Sequence, residues 1–256
     1  MQRHKGEEME KIDFSRYNYW EDFISNVKSF VSNPGCLIIE NFDSDLEKGL
    51  LQNLAKSLGK ISLSGINVSG NVLEDGFIHR VEVKEEALKD KSGYNILSST
   101  AEVFPCHTDD YFSENPVDVV ILHCVIPDEF GGESIIAYLK NILDFLATKT
   151  IKILSQQTFP SHFGKVSILE KDINGYKIRY NRLEIERASK ITGISLNEKQ
   201  ITALDHLDNA INKTQIIFKL KKNDCLVLNN KKLVHGRTAI SKDSNRLLRR
   251  VRINYE

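Results

Sequence analysis

The sequence has no surplus of charge: 35 Lys and Arg stand against 35 Asp and Glu in 256 residues. That balance removes any general electrostatic pull toward nucleic acid or a membrane surface. The expected partner is a small molecule, and no feature encodes an oligomeric state. Cysteine is scarce and scattered. Cys36, Cys106, Cys124 and Cys225 include no CxxC pair, so neither a disulfide framework nor a zinc ribbon is expected. They read as reduced thiols, mostly in the core. Long apolar runs are missing too. No stretch approaches the ~18 to 20 apolar residues that span a bilayer. The opening MQRHKGEEMEKIDFS is polar, lacks the apolar centre of a signal peptide, and reads as a flexible N-terminus over residues 1–15. The expected compartment is the cytoplasm. Repeats and low-complexity tracts are absent.

What is present is 41% hydrophobic residues, enough for a substantial core, and a pattern that changes along the chain. Tyr17, Trp20, Phe23, Ile24, Val27, Phe30 and Val31 recur at steps of three and four and predict a helix stopped at Asn33-Pro34-Gly35. CLIIE (Cys36 to Glu40) predicts a buried strand. Ser44 and Glu47 suggest a capping box opening a helix to Leu58, with Gly59 as its stop. ISLSGINVSGNVLEDG (Ile61 to Gly76) reads as a long loop, of the kind that serves as a lid or simply connects.

From Phe77 onward β-branched and aromatic runs dominate: FIHRVEV, VDVVILHCV, ESIIAYL, KVSIL, YKIRYN, QIIFKL, CLVLN and LRRVRINY. Helices are expected over Asn141 to Lys149 and Asn197 to Ile211. The pattern predicts a mainly β protein with peripheral helices (α+β), a jelly-roll core and one domain over residues 1–256.

Among seven histidines, His4, His79, His123, His162 and His206 sit in solvated or core-like settings and read as structural. His107 differs: it lies in FPCHTDDYF, one residue before a carboxylate, Asp109. His235 lies far along the chain in NNKKLVHGRTAI, read as the end of the run CLVLN, immediately before Gly236. A jelly roll can bring such distant positions together. Two imidazoles and one carboxylate are the donor set of non-haem Fe(II) oxygenases, which leave metal positions open. Zinc takes the same donors. The basic tail weighs between them. Arg246, Leu248, Arg250 and Arg252 share one face of an expected strand. If that face turns inward, its guanidiniums need an anion, and a chelating dicarboxylate would supply one. If it turns outward, it is an exposed basic face.

Three blocks, CHTDDYFSENPVDVVILHC, GGES and LVHGRTAISKDSNRLLRRV, resemble the taurine-dioxygenase and clavaminate-synthase-like group of Fe(II)/2-oxoglutarate oxygenases. The likeness covers roughly residues 93–253. It implies a double-stranded β-helix, Fe(II) held by His107, Asp109 and His235, and 2-oxoglutarate and O2 as co-substrates. By position, Ser134 and Arg246 resemble the residues that bind the far carboxylate of 2-oxoglutarate. Arg250 resembles a second arginine near the co-substrate or the substrate anion. Arg237 looks structural. Asn229-Asn230 departs from a common Asp-Asn. The resemblance implies hydroxylation of an unactivated C–H bond in a small polar metabolite, such as an amino acid or amine, with release of succinate and CO2. Asp110 and Arg179 are the offered substrate contacts. The alternatives are a zinc hydrolase on the same triad and a jelly roll that binds metal and ligand without turnover.

Overall fold

The computed structural model describes residues 9–44, 49–63 and 73–255. The first part supplies β1 (Lys11–Asp13), α1 (Trp20–Ser32), β2 (Cys36–Glu40), α2 (Leu50–Leu58), β3 (Lys60–Ser62), β4 (Leu73–Glu74) and β5 (Ile78–Val81). Next come β6 (Phe104–His107), β7 (Val119–Ile126), β8 (Ser134–Tyr138), α3 (Leu139–Asp144) and α4 (Thr148–Leu154). Two hairpins follow, β9 (Phe159–Ser161) with β10 (Gly164–Val166), and β11 (Leu169–Asp172) with β12 (Gly175–Ile178). The chain closes with α5 (Arg182–Thr192), α6 (Glu198–Thr214), β13 (Ile216–Phe218), β14 (Cys225–Asn229), β15 (Leu233–Arg237) and β16 (Leu247–Asn254).

Two sheets carry the architecture. One runs β1-β2-β14-β7-β16-β5-β4, with β3 also paired to β16; the other runs β13-β8-β15-β6. Side-chain alternation explains how they stack. In the larger sheet Leu37, Ile39, Val119, Ile121, Val227, Val251 and Ile253 point one way, into a cluster with Phe23, Val27, Leu51 and Leu54 of α1 and α2. Their neighbours Ile38, Val120, Leu226 and Leu248 point the other way and meet Ile136, Tyr138 and Leu233 of the smaller sheet. The outer face of the smaller sheet, through Ala137 and Val234, packs on α3, α5 and α6. Both sheets are therefore buried on two sides, and each buried aliphatic side chain contributes roughly 1.5–3 kcal/mol. Two facing sheets with helices outside make the expected mainly β, double-stranded β-helix. No described helix is long and apolar enough to cross a membrane.

Several elements differ from the sequence expectation. KVSIL is divided between β10 and β11, because the chain turns back after Val166. YKIRYN leaves the strand at Ile178, where β12 ends. The helix expected over 141–149 is two short helices, α3 and α4. RLEIERASKIT forms α5, unforeseen, capped by the Asn181 side chain. Asn197 and Gln200 form a reciprocal capping box that starts α6, as the pattern for that helix implies. Gly59 does end α2, but the Ser44/Glu47 box falls partly on residues outside those described. So does most of the expected loop 61–76, whose described ends form β3 and β4.

His235 does not terminate the CLVLN strand. A turn separates the two, and His235 is the middle residue of its own strand, β15.

Candidate active site

Register brings the two histidines together. β6 and β15 are antiparallel neighbours, and His107 lies directly across from His235. The pairing is irregular between His235 and Arg237, where the strands approach closely. A Cβ on Gly236 would lie 2.7 Å from the Phe104 carbonyl oxygen, so only glycine fits between His235 and Arg237. The two imidazole centroids are 4.5 Å apart. Asp109, two residues past His107, directs Oδ1 to 3.4 Å from His107 Nε2 and 3.5 Å from His235 Nε2. One donor atom from each of the three lies within 4.8 Å of the others.

The chemistry of these donors fits a cation. His107 Nδ1–H donates to the Pro105 carbonyl at 2.9 Å, and Nε2 is the ring nitrogen that faces Asp109. Burial and the adjacent His107 hold His235 below the usual imidazole range, so its neutral form is favoured. Burial pushes the Asp109 carboxyl up, yet Arg252, Arg250 and the two imidazoles more than offset that. The carboxyl is held well below its ordinary range. The lone pair of a neutral His235 facing an ionised oxygen is repelled unless a positive ion sits between them, and with His107 alongside the group is a donor set for such an ion.

The peptide around Asp109 is held from both sides. Asn230 accepts from the Asp109 N–H at 2.8 Å and donates to the Asp109 and Val117 carbonyls at 3.0 and 2.9 Å. Thr108 exchanges bonds with the Tyr180 backbone. On the cavity side the Phe104 ring stacks on His107, centroids 3.9 Å apart.

Facing this group across the cavity are the guanidiniums of the larger sheet. His107, His235, Ser134, Arg246 and Arg250 line one cavity, with Val81, Phe104, Leu122 and Leu248 as apolar wall and Ser98 and Arg237 beside them. The inward direction of Leu248 fixes that of Arg250 and Arg252 by strand alternation. Arg246 is 4% exposed, and Gly132 packs against it. A Cβ there would sit 3.0 Å from Arg246 Cδ and Nε, and φ is +69°. Arg246 Nη1 and Arg250 Nε are buried with no hydrogen-bond partner among the described residues. Burial lowers the pKa of Arg246. Burial and Arg252 bring Arg250 down to about 10; both stay charged near neutrality. Buried cations with unspent donors fit an anionic ligand.

Ser134, Arg246 and Arg250 thus share one cavity with His107 and His235, and Asp109 lies behind the two imidazoles with Oδ1 toward both. Asp110 is adjacent, 3% exposed, and its Oδ1 lies 3.5 Å from Arg252 Nε. It is not a solvated turn residue. Arg179 lies outside the cavity lining. It donates to the Tyr111 carbonyl at 2.6 Å and to the Ser113 carbonyl, over the rings of Tyr111 and Phe163. Arg237 donates to the Thr100 and Glu102 carbonyls. Burial and Asp208 push the Cys106 thiol up to about 12, which leaves it a poor nucleophile. His123 is fully buried and bonds the Phe42 carbonyl. Sequence reasoning passed over Phe104 and Ser98 and noted Asn230 only as a departure from the family pattern; their partners are visible only in three dimensions. Arg252 was legible as a member of the inward row but not as a partner of Asp109.

Comparison with known proteins follows the same direction. The model of the family described as "Taurine catabolism dioxygenase TauD, TfdA family" matches residues 3–167 and 155–252. No curated protein matches the sequence. Among solved structures, an asparagine oxygenase in complex with Fe(II), 2S,3S-3-hydroxyasparagine and succinate superposes with TM-score 0.68 at 16% identity, covering 91% of this chain and 78% of its own. The non-heme iron oxygenase OrfP with Fe and alpha-ketoglutaric acid gives 0.69 at 17%, covering 92% and 79%. OrfP with Fe, succinate and (3S)-hydroxy-L-Arg gives 0.66 at 16%, covering 92% and 81%. At these identities the likeness establishes a shared fold.

Proposed function

The chain belongs to the taurine catabolism dioxygenase TauD, TfdA family of Fe(II)- and 2-oxoglutarate-dependent oxygenases, and from that premise we propose that it hydroxylates an unactivated C–H bond of a small amino acid or amine. One observation carries the assignment of the site. Nε2 of His107, Oδ1 of Asp109 and Nε2 of His235 converge opposite buried guanidiniums that have unspent donors.

In this reading His107, Asp109 and His235 hold the iron. Bound Fe(II) supplies the oxygen activation by which 2-oxoglutarate, O2 and R–H become succinate, CO2 and R–OH. Arg246 and the Ser134 hydroxyl hold the far carboxylate of 2-oxoglutarate and so fix its keto-acid end toward the three ligands. Arg250 is a second cation for the co-substrate or for a substrate carboxylate. Val81, Phe104, Leu122 and Leu248 exclude water, which strengthens each of these charge contacts. Asn230 and Thr108 keep the Asp109 peptide from drifting, and positional error is costly in such sites. Arg179, bonded to the carbonyls of Tyr111 and Ser113, holds the loop after Asp109, and Asp110 pairs with Arg252.

The amino-acid class draws on two neighbours that hold hydroxylated amino acids and on the cationic wall, which suits a carboxylate. The reading takes the chain as one catalytic domain in the cytoplasm, where thiols stay reduced, as its four free cysteines suit. The test is succinate release from purified protein with Fe(II), 2-oxoglutarate and O2 across a panel of free amino acids and amines. A substrate that raises succinate several-fold and gains one oxygen is the expected result. Zinc-dependent ester or amide cleavage with no succinate would oppose it.

A further inference from the structure

Asp109 and Asp110 are consecutive carboxylates that share one guanidinium. Arg252 Nε donates to Asp109 Oδ2 at 2.7 Å and lies 3.5 Å from Asp110 Oδ1. Arg252 projects from β16, where it sits between Val120 of β7 and Ser62 of β3. Asp109 follows β6 of the opposite sheet. The pair is therefore a cross-sheet tie, and it is closed: the side chains of Arg252, Asp109 and Asp110 are 7%, 2% and 0% exposed. Asp110 adopts φ +59°, a left-handed turn that brings its carboxylate back toward the same guanidinium instead of onward with the chain.

The two oxygens of Asp109 have separate duties. Oδ1 faces both imidazoles. Oδ2 is taken by Arg252, with Arg250 Nη1 more distant at 3.4 Å. The two arginines also differ. Arg250 lines the cavity and keeps a buried Nε with no partner among the described residues. Arg252 is absent from the cavity lining. We propose that Arg252 is a positioning residue that locks Asp109 as a one-oxygen ligand by occupying Oδ2. The inference rests on the reading of His107, Asp109 and His235 as the metal site.

The consequence is a matter of counting positions. A six-position ion with three single-atom protein donors keeps three places for a chelating co-substrate and O2. A carboxylate free to rotate can chelate through both oxygens and take one of them. Hydrogen-bond partners behind metal ligands commonly alter metal affinity by 10- to 100-fold.

The experiment titrates metal-free protein with Co(II), whose visible absorption reports coordination number and geometry, in wild type, R252Q and R252K. His107→Ala serves as the control for loss of the site. R252Q is expected to shift the Co(II) absorption spectrum toward higher coordination number and to change Co(II) affinity by about tenfold or more. R252K, which retains the buried charge but not the planar guanidinium, is expected to change affinity less and keep a shifted spectrum. Should R252Q fail to fold, the R252K spectrum alone decides. Wild-type affinity and spectrum in R252K, or in both variants, would overturn the proposal. Wild-type protein that binds no Co(II) would remove the metal-site reading itself and this inference with it.

Discussion

The two inner faces of the β-helix meet at one cavity and do opposite work. The face made by β6 and β15 presents two imidazoles and places them by register, His107 across from His235. The face made by β16 presents guanidiniums: alternation places Arg250 and Arg252, whereas Arg246, expected in the same row, precedes the strand and an irregularity at Leu247/Leu248. One face offers lone pairs to a cation; the other offers N–H groups to an anion. Asp109 is the point of contact, with Oδ1 on the imidazole side and Oδ2 on the guanidinium side. A site of this kind needs both sheets, because a single pleated face has no way to enclose a metal and its counter-anion at once.

The comparison breaks most completely on the imidazole face. His107→Ala or His235→Ala should each lose metal binding and succinate production. Near-normal turnover in both would remove the ligand assignment. On the guanidinium face, Arg246→Ala should weaken 2-oxoglutarate about ten- to a hundred-fold, the loss of a charge-assisted pair worth roughly 1.5–3 kcal/mol. Metal affinity measured without 2-oxoglutarate should hardly move in that variant. If the two affinities fell together, the faces would not be the separate functions drawn here.

A smaller effect is expected from the clamp between them. Asn230→Ala strips partners from the Asp109 N–H and from two carbonyls. Leaving those buried groups unsatisfied should cost about 3 kcal/mol, seen as a lower thermal midpoint and weaker metal binding. An unchanged midpoint would show that other groups or water replace the amide. The smallest effect is expected at Arg179. Arg179→Met should cost about 1 kcal/mol of stability through the Tyr111 and Ser113 carbonyls, and leave KM for the hydroxylated substrate within about threefold. A KM increase of tenfold or more would restore the substrate contact that the sequence offered.

The two faces were not equally legible. The β16 row follows from period two alone, since LRRVRINY alternates and its apolar members Val251 and Ile253 had to pack on helices. What stayed hidden was that Arg252 meets Asp109, a contact across sheets. On the other face His-x-Asp was visible as chemistry, but β15 was not visible as a strand. LVHGR is short, interrupted by glycine and preceded by charged residues, so local propensity says little, and its partner β6 is just as short. Its strand character comes from pairing on both sides, with β8 and β6. Asn230 was visible as part of the Asn229-Asn230 pair but not as the clamp on Asp109, because its partners lie more than a hundred residues earlier in the chain. α5 was missed because its apolar face is narrow, with only Ile185 and Ala188 buried. Sequence patterning reports periodicity; it is silent where tertiary pairing decides.

The central claim is that one cation and one dicarboxylate occupy the space between these faces. It is tested most directly by the crystal structure of the protein grown without oxygen in Mn(II) and 2-oxoglutarate. The account predicts a single anomalous peak bonded by His107 Nε2, Asp109 Oδ1 and His235 Nε2, with the far carboxylate of 2-oxoglutarate on Arg246 and Ser134. A metal bound elsewhere, or a co-substrate turned away from β16, would contradict it.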